Sequence, residues 1–202
     1  MSKLKKTIHR LIFEEIEPNS KVLDLGCGEG DLLNYLFYRK NIKGHGIDKD
    51  TKAIVKCVEK GIPVINWNLD NLPLDFPDKS YDYTILNQTI TQITNPKLII
   101  DELLRVGKTG ILGFANFGCL DLRLRFLFSG KMPDNDEHPF KWYETPNIHF
   151  LTIKDFYDFC KENNITVKKK IFLKKRLFTN DYKEINKLVN LRADLALFLL
   201  TK

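Results

Sequence analysis

Asp24, three glycines on alternate positions and two further carboxylates crowd into the run Val22-Leu23-Asp24-Leu25-Gly26-Cys27-Gly28-Glu29-Gly30-Asp31. Gly26, Gly28 and Gly30 permit backbone conformations, and a closeness of approach, that a Cβ atom would block. The spacing therefore predicts a strand-to-helix turn wrapped against a small molecule. Charge then selects the molecule. A dinucleotide fingerprint, G-x-G-x-x-G, asks for glycine where Asp31 stands, and a pyrophosphate beside Glu29 or Asp31 would meet repulsion of up to about 4 kcal/mol per pair at contact. S-adenosylmethionine carries a sulfonium and an ammonium against one carboxylate, and its net positive charge suits an acidic loop. Asp24, Gly26, Cys27, Gly28 and Gly30 form its expected cradle.

Further contacts follow at the ends of later apolar runs. Asp48 closes Lys43-Gly44-His45-Gly46-Ile47-Asp48, where a carboxylate accepts hydrogen bonds from both ribose hydroxyls. Its alternative role is to cap a helix beginning near Thr51, for which Asp50 is also placed. Asn68 and Leu69 offer an amide and a backbone N–H to an adenine edge, and Asn87, followed by Gln88, faces the same crevice. An asparagine that merely stabilises its loop is an equally good reading of such turns.

These residues need a scaffold that brings strand ends together. Strand-like runs fall at 21–25, 43–47, 62–67, 81–86 and 109–114, with helical patterns at 31–40, 51–60 and 96–106 between them. Asn95 as N-cap, Pro96 at the first helical position and Gly107 as a stop delimit the last of these helices. Alternation of this kind predicts an α/β fold with a parallel sheet and helices on both faces. A helix at 153–163, a strand at 165–173 and a final apolar strand at 196–200 complete the expected order.

Composition narrows the class. The chain has 202 residues, 43% hydrophobic and 29% charged, which is ordinary for a folded domain. Its four cysteines stand far apart, so neither a metal site nor a disulfide framework is expected, and a reducing cytoplasm suits them. No run is long and apolar enough to predict a membrane span or a secretory signal. The net charge of +6 is concentrated in VKKKIFLKKR, from Val167 to Arg176. Lysines around a short apolar core predict a solvated sheet edge that discourages aggregation, rather than a nucleic-acid surface.

The long connection after the fifth strand, 117–150, predicts a lid or binding surface. Within it, Tyr143 and His149 are the candidate catalytic residues, able to shuttle a substrate proton. The alternative is that His149 hydrogen-bonds near the following helix and Tyr143 packs. The stretch FGCLDLRLRFLF, Phe117 to Phe128, reads either as a helix apolar on two sides or as an alternating strand. As a helix it would suit docking onto a partner protein.

The run LDLGCGEGDLL, the aspartate of GID and Ser80-Tyr81-Asp82-Tyr83 resemble the class I S-adenosylmethionine-dependent methyltransferases. LNQTITQITNPKLIIDELLRVGKTGILGFANFG, from Leu86 to Gly118, with GKMP at 130–133 and KWYETPNIHF at 141–150, resembles the methionine biosynthesis protein MetW family over nearly the whole chain. The resemblance implies a single Rossmann-like domain over 1–202 with a mostly parallel seven-stranded sheet and an antiparallel C-terminal strand. Residues 1–20 would be a helical extension and 117–150 an insertion. It also implies S-adenosylmethionine or S-adenosylhomocysteine as ligand, a helix over the Phe117 to Phe128 stretch, and a cytoplasmic protein acting with a homoserine O-acyltransferase, acetyl or succinyl. Family members often carry aspartate where Asn68 stands, which weakens the adenine contact. Two functions stay open: a subunit that supports the acyltransferase, or a methyltransferase acting on a small metabolite through Tyr143 or His149.

Overall fold

Leu195, Leu197 and Leu199 turn to one side of the last strand and Ala196, Phe198 and Leu200 to the other, and all six are buried. A strand apolar on both faces must lie inside a sheet covered by helices on each side. The computed structural model, which describes residues 3–176, 179 and 181–202, places it there. The first two residues of the expected extension over 1–20 lie outside the described residues.

The elements run α1 (Lys3–Glu15), β1 (Lys21–Leu25), α2 (Asp31–Lys40), β2 (Lys43–Asp48), α3 (Thr51–Glu59), β3 (Val64–Asn66), β4 (Tyr81–Asn87), α4 (Pro96–Val106) and β5 (Gly107–Ala115). They continue with α5 (Leu120–Ser129), α6 (Ile153–Glu162), β6 (Thr166–Lys175), β7 (Tyr182–Glu184), α7 (Val189–Arg192) and β8 (Leu195–Thr201). The sheet order is β3-β2-β1-β4-β5-β8-β6-β7, eight strands rather than the expected seven. The addition is the short β7. Strands β1 to β5 pair in parallel, and β8 inserts antiparallel between β5 and β6.

Two apolar layers cover the sheet. One packs Ile8, Leu11 and Ile12 of α1 and Leu33 and Leu36 of α2 against Val22, Ile85, Ile111 and the odd-numbered leucines of β8. The other packs Ile99, Leu103 and Phe156, from α4 and α6, against Leu23, Leu86, Phe114 and Phe198. Asn95 caps α4 through Leu98 N–H, with Pro96 behind it, as its sequence predicts. The lysine-rich strand is an edge only in part: β7 pairs with Leu173 to Lys175, and among the described residues no strand covers the edge of β6 away from β8 before that, where Lys168, Lys169 and Lys170 are exposed. The Phe117 to Phe128 stretch is helical in α5, with Leu122 its one buried residue. Among the described residues no helix is long and apolar enough to cross a membrane.

The fully buried Asn116 ties the end of β5 to the start of α6 and to the segment before β8. Its amide donates to Asn190 O (3.0 Å) and Ala193 O (2.7 Å), and its Oδ1 accepts from Gly118 N (3.0 Å) and Ile153 N (3.2 Å). All four side-chain hydrogen-bonding positions are thereby filled. Asn116→Asp sets a carboxylate against two carbonyl oxygens and removes two donors. A loss of about 3 kcal/mol at pH 7 is expected. The introduced carboxyl has a raised folded-state pKa, so part of the loss should be regained as pH falls towards 5. Urea unfolding at the two pH values checks both.

Candidate functional site

The order of the parallel strands reverses between β1 and β4, and ligands of open α/β sheets bind at the strand ends beside such a point. There the glycine loop folds back onto β2. Gly26 N and Cys27 N both donate to Ile47 O (2.8 and 3.0 Å), and Gly28 N donates to Asp48 Oδ2 (2.7 Å). Asp48 Oδ1 accepts from Asp50 N (2.9 Å), while Asp50 itself caps α3 through Lys52 N. The capping role therefore belongs to Asp50. Asp48 is aimed by two backbone N–H groups, and its carboxylate has lone pairs left over.

Two adjoining cavities open at this point, sharing Gly26, Asn87 and Gln88 as walls. The first, of about 240 Å³, brings together Asp24, Cys27 and Gly28 under Lys5 and His9 of α1. The second, of about 260 Å³, is walled by Asp48, Asn68, Leu69 and Trp67. Eight of the nine expected ligand-binding residues thus line these two adjoining cavities. Gly30 is the exception. It precedes α2 at φ 71°, and a Cβ there would stand 2.9 Å from Cys57 Sγ, so it serves turn and packing. At Gly28 (φ 54°) an added Cβ would meet nothing within 4 Å, which leaves its backbone open to a ligand. Asn68 also keeps a local task, since its Oδ1 accepts from Asp70 N (3.1 Å).

Tyr143 and His149 do not join this cleft. Tyr143 is exposed and lines a separate cavity against α5, beside Leu124 and Phe128. His149 anchors its loop instead: its backbone N–H donates to Thr91 O (3.0 Å) and its Nε2 lies 3.3 Å from Thr94 O.

The electrostatics differ from a simple count of acidic residues. Glu29 pairs with Lys56, and Asp31 pairs with Lys5 (2.7 Å) and Lys60. Neither carboxylate lines the cleft, so the expected repulsion of a phosphate by these two is largely cancelled by the lysines. Burial opposes ionisation of Asp31, yet hydrogen bonds from Lys5 and Lys60 and their charges prevail and hold its pKa at about 2. The negative charge that lines the cleft comes from Asp24 and Asp48, with the cations Lys5 and Lys49 beside them. Burial first, then the neighbouring Asp48 charge, push Asp24 up to about 7, against a smaller opposing pull from Lys5. Two residues that line the cleft have a polar atom buried with no hydrogen-bond partner among the described residues, His9 at Nδ1 and Asn87 at Oδ1. The Asn87 oxygen lies against Gly113 of β5, where an added Cβ would stand 2.5 Å from it; an orphan such as His9 Nδ1 is uncommon in folded proteins and fits a ligand that supplies the missing bond.

The sequence reading had missed Lys5 and His9. The available signal was a histidine beside Ile8, Leu11 and Ile12 on the apolar face of an amphipathic helix.

Comparison with known proteins accords with this architecture. The family model for methionine biosynthesis protein MetW matches residues 6–200. A bifunctional methionine biosynthesis protein MetXA/MetW of Rhodopirellula baltica is 34% identical over 170 residues, covering 80% of this chain and 27% of that protein, so the chain spans about a quarter of that relative. An uncharacterized protein of Methanocaldococcus jannaschii is 33% identical over 159 residues, covering 77% of this chain and 70% of the other. A crystal structure of an S-adenosylmethionine-dependent methyltransferase from Archaeoglobus fulgidus superposes with a TM-score of 0.70 at 14% identity, over 99% of this chain and 94% of that one. A Thermotoga maritima structure, described as a possible histamine N-methyltransferase, gives 0.67 at 17% identity, over 97% and 91%. The fold is the Rossmann-like fold of these methyltransferases.

A carboxylate whose folded pKa is raised costs stability as pH climbs from its unfolded value, 3.8, through the folded one. Asp24→Asn removes that cost. At pH 8 the ligand-free variant is expected to be more stable than wild type by about 1–3 kcal/mol, with the gain vanishing near pH 4. Urea titrations across this range measure it.

Proposed function

The chain belongs to the MetW family, and on that premise we propose that it binds S-adenosylmethionine, or S-adenosylhomocysteine, in the cleft between β1, β2 and β4. We propose further that it acts in the cytoplasm as a partner subunit supporting a homoserine O-acyltransferase. The observation that carries the ligand reading is Asp48, whose carboxylate is fixed by two backbone N–H groups at one wall of the cleft with acceptor capacity to spare. That arrangement suits the paired hydroxyls of a ribose. Gly28 leaves main chain open beside it, Leu69 and Asn68 wall the end suited to an adenine, and Asp24 supplies negative charge where a cationic end would lie. Lys56 and Lys60 pair off Glu29 and Asp31 outside the cleft, which leaves Asp24 and Asp48 as its lining carboxylates. When bound, the sulfonium supplies an electrophilic methyl group.

The partner reading draws on the Rhodopirellula relative, whose name joins MetXA and MetW in one polypeptide. It also draws on what is missing from the cleft: neither Tyr143 nor His149, the candidate proton shuttles, lines it. Binding with neither of these shuttles at hand accords with a nucleoside that reports on methionine supply, modulating an attached or associated acyltransferase.

Titration calorimetry is expected to detect both nucleosides. Gly28→Ala should still fold, at a cost of about 1–2 kcal/mol for a left-handed alanine, but bind at least about tenfold more weakly because its Cβ enters the cleft. Asp48→Ala should lose at least as much, since hydrogen bonds to a charged group contribute about 1.5–3 kcal/mol each. Because Asp24 titrates near 7, affinity for the cationic ligand should rise between pH 6 and 8 in wild type and stay flat in Asp24→Asn. For the partner, an acyltransferase co-purifying with this chain should gain activity from it and respond to added S-adenosylmethionine. An unchanged rate with and without the chain would refute the subunit role.

A further inference from the structure

Beyond β4 the chain makes a 3₁₀ turn, Ile90–Gln92. The bonds from Gln92 N to Thr89 O (2.9 Å) and from Ile93 N to Ile90 O (3.3 Å) extend its three-residue repeat to both ends. Side chains three apart eclipse one another in such a turn, which therefore has three faces. Each face meets a different part of the molecule. Thr89 and Gln92 line the 260 Å³ cavity beside Asp48 and Asn68. Ile90 and Ile93 are buried in the core. Thr91 and Thr94 meet the long insertion: Thr91 O accepts from Ile148 N (2.7 Å) and His149 N (3.0 Å), the Thr91 hydroxyl donates to Asn147 Oδ1 (2.9 Å), and Thr94 O lies 3.3 Å from His149 Nε2.

Both sides of that contact are short-tethered. Towards the cleft, Thr94 N donates to Asp70 Oδ1 (2.8 Å), next to Leu69. Gln88, a wall of both cavities, is held at φ 60°, a left-handed conformation uncommon outside glycine. Towards the insertion, Asn147 N donates to Thr145 Oγ1 (3.1 Å), and Pro146 fixes its own φ. The turn at 141–144, closed by Glu144 N to Lys141 O (3.0 Å), carries Trp142 and Tyr143 directly before them. Past the contact, the Phe150 ring lies 4.6 Å from that of Phe117, and Phe117 N donates to Leu151 O (3.1 Å), just before α5. The groove between Leu124 and Phe128 of α5 and the Trp142-Tyr143 turn is thus tied to 147–151 on both of its walls. We propose that the 3₁₀ turn is a coupling element: a molecule settling against Thr89 and Gln92 displaces the Thr91 face, and with it 147–151 and this groove. With the core face pinned by two isoleucines, the turn can pivot but not retreat. This inference rests on the cleft reading above and adds where on the molecule occupancy is registered. Trp142 is 74% exposed, so a change there is legible from outside the chain.

The two tryptophans of the chain stand at the two ends of this route, Trp67 on the cleft wall and Trp142 in the groove. Fluorine NMR of the protein labelled with 5-fluorotryptophan reads both, with the signals assigned by Trp142→Phe. On titration with S-adenosylhomocysteine both wild-type signals are expected to move along one saturation curve. A Trp142 signal that stays in place at saturation, with binding verified by calorimetry, would overturn the proposal. Should calorimetry find no binding, the cleft reading itself fails and this one with it. Thr91→Val and Asn147→Leu each delete the hydroxyl-to-amide bond from outside the cleft. Each should cut the Trp142 shift by at least about half while the Trp67 shift persists, as expected of a coupling that residues touching no ligand can modulate. An undiminished Trp142 shift in both variants would refute the role of Thr91. Asp48→Ala should weaken both shifts together; a Trp142 shift that survives it at full size would put the nucleoside in the groove itself and overturn the coupling.

Discussion

The cleft depends on one short hydrogen bond, from Gly28 N–H to the Asp48 carboxylate at 2.7 Å. It joins the loop after β1 to the end of β2, so the two walls of the site cannot move independently. The bond is charge-assisted and therefore stronger than an amide pair. Parallel pairing of Leu25 with Ile47 sets the register that makes it possible, and Ile47 O receives the two preceding N–H groups of the same loop. A glycine at 28 is needed because the backbone there is left-handed and its Cα faces open space. Asp50, by taking over the cap of α3, leaves Asp48 for the loop and for whatever enters the cleft.

Charge is partitioned by depth. The acidic residues on the rim, Glu29 and Asp31, are matched by Lys56, Lys5 and Lys60, whereas Asp24 lies in the interior with its carboxyl pushed up to about 7 by burial. A carboxylate in that state gains more from a cationic partner than an exposed one does, because little water remains to screen it. The same burial that destabilises the empty site strengthens its discrimination between ligands. His9, which lines the same cavity and has a buried, unpaired Nδ1, adds a polar group to that field.

The second half of the chain uses the sheet differently. Asn116, with every side-chain hydrogen-bonding position filled, sets the end of β5 against the start of α6 and the turn before β8. Beyond it α5 buries only Leu122 and leaves Leu127 and Phe128 largely in solvent. Tyr143 lies against that helix rather than against the cleft, and His149 is committed to the carbonyls that follow β4.

Local patterns in the sequence were enough to determine the alternation of strands and helices, the cap at Asn95, the glycine turn and the acceptor at Asp48. Each follows from a residue's own backbone preference or from a period of two or 3.6, which neighbouring residues alone enforce. The insertion of β8 between β5 and β6, the pairing of β7 and the neutralisation of Glu29 and Asp31 were not legible, because they join segments far apart in the chain. His9 shows the difference most directly. In the sequence it is a polar residue on an apolar helix face, and only the packing of α1 over the ends of β1 and β4 turns it into a wall of the cleft. What a side chain faces is decided by long-range packing, and one-dimensional periodicity carries no record of it.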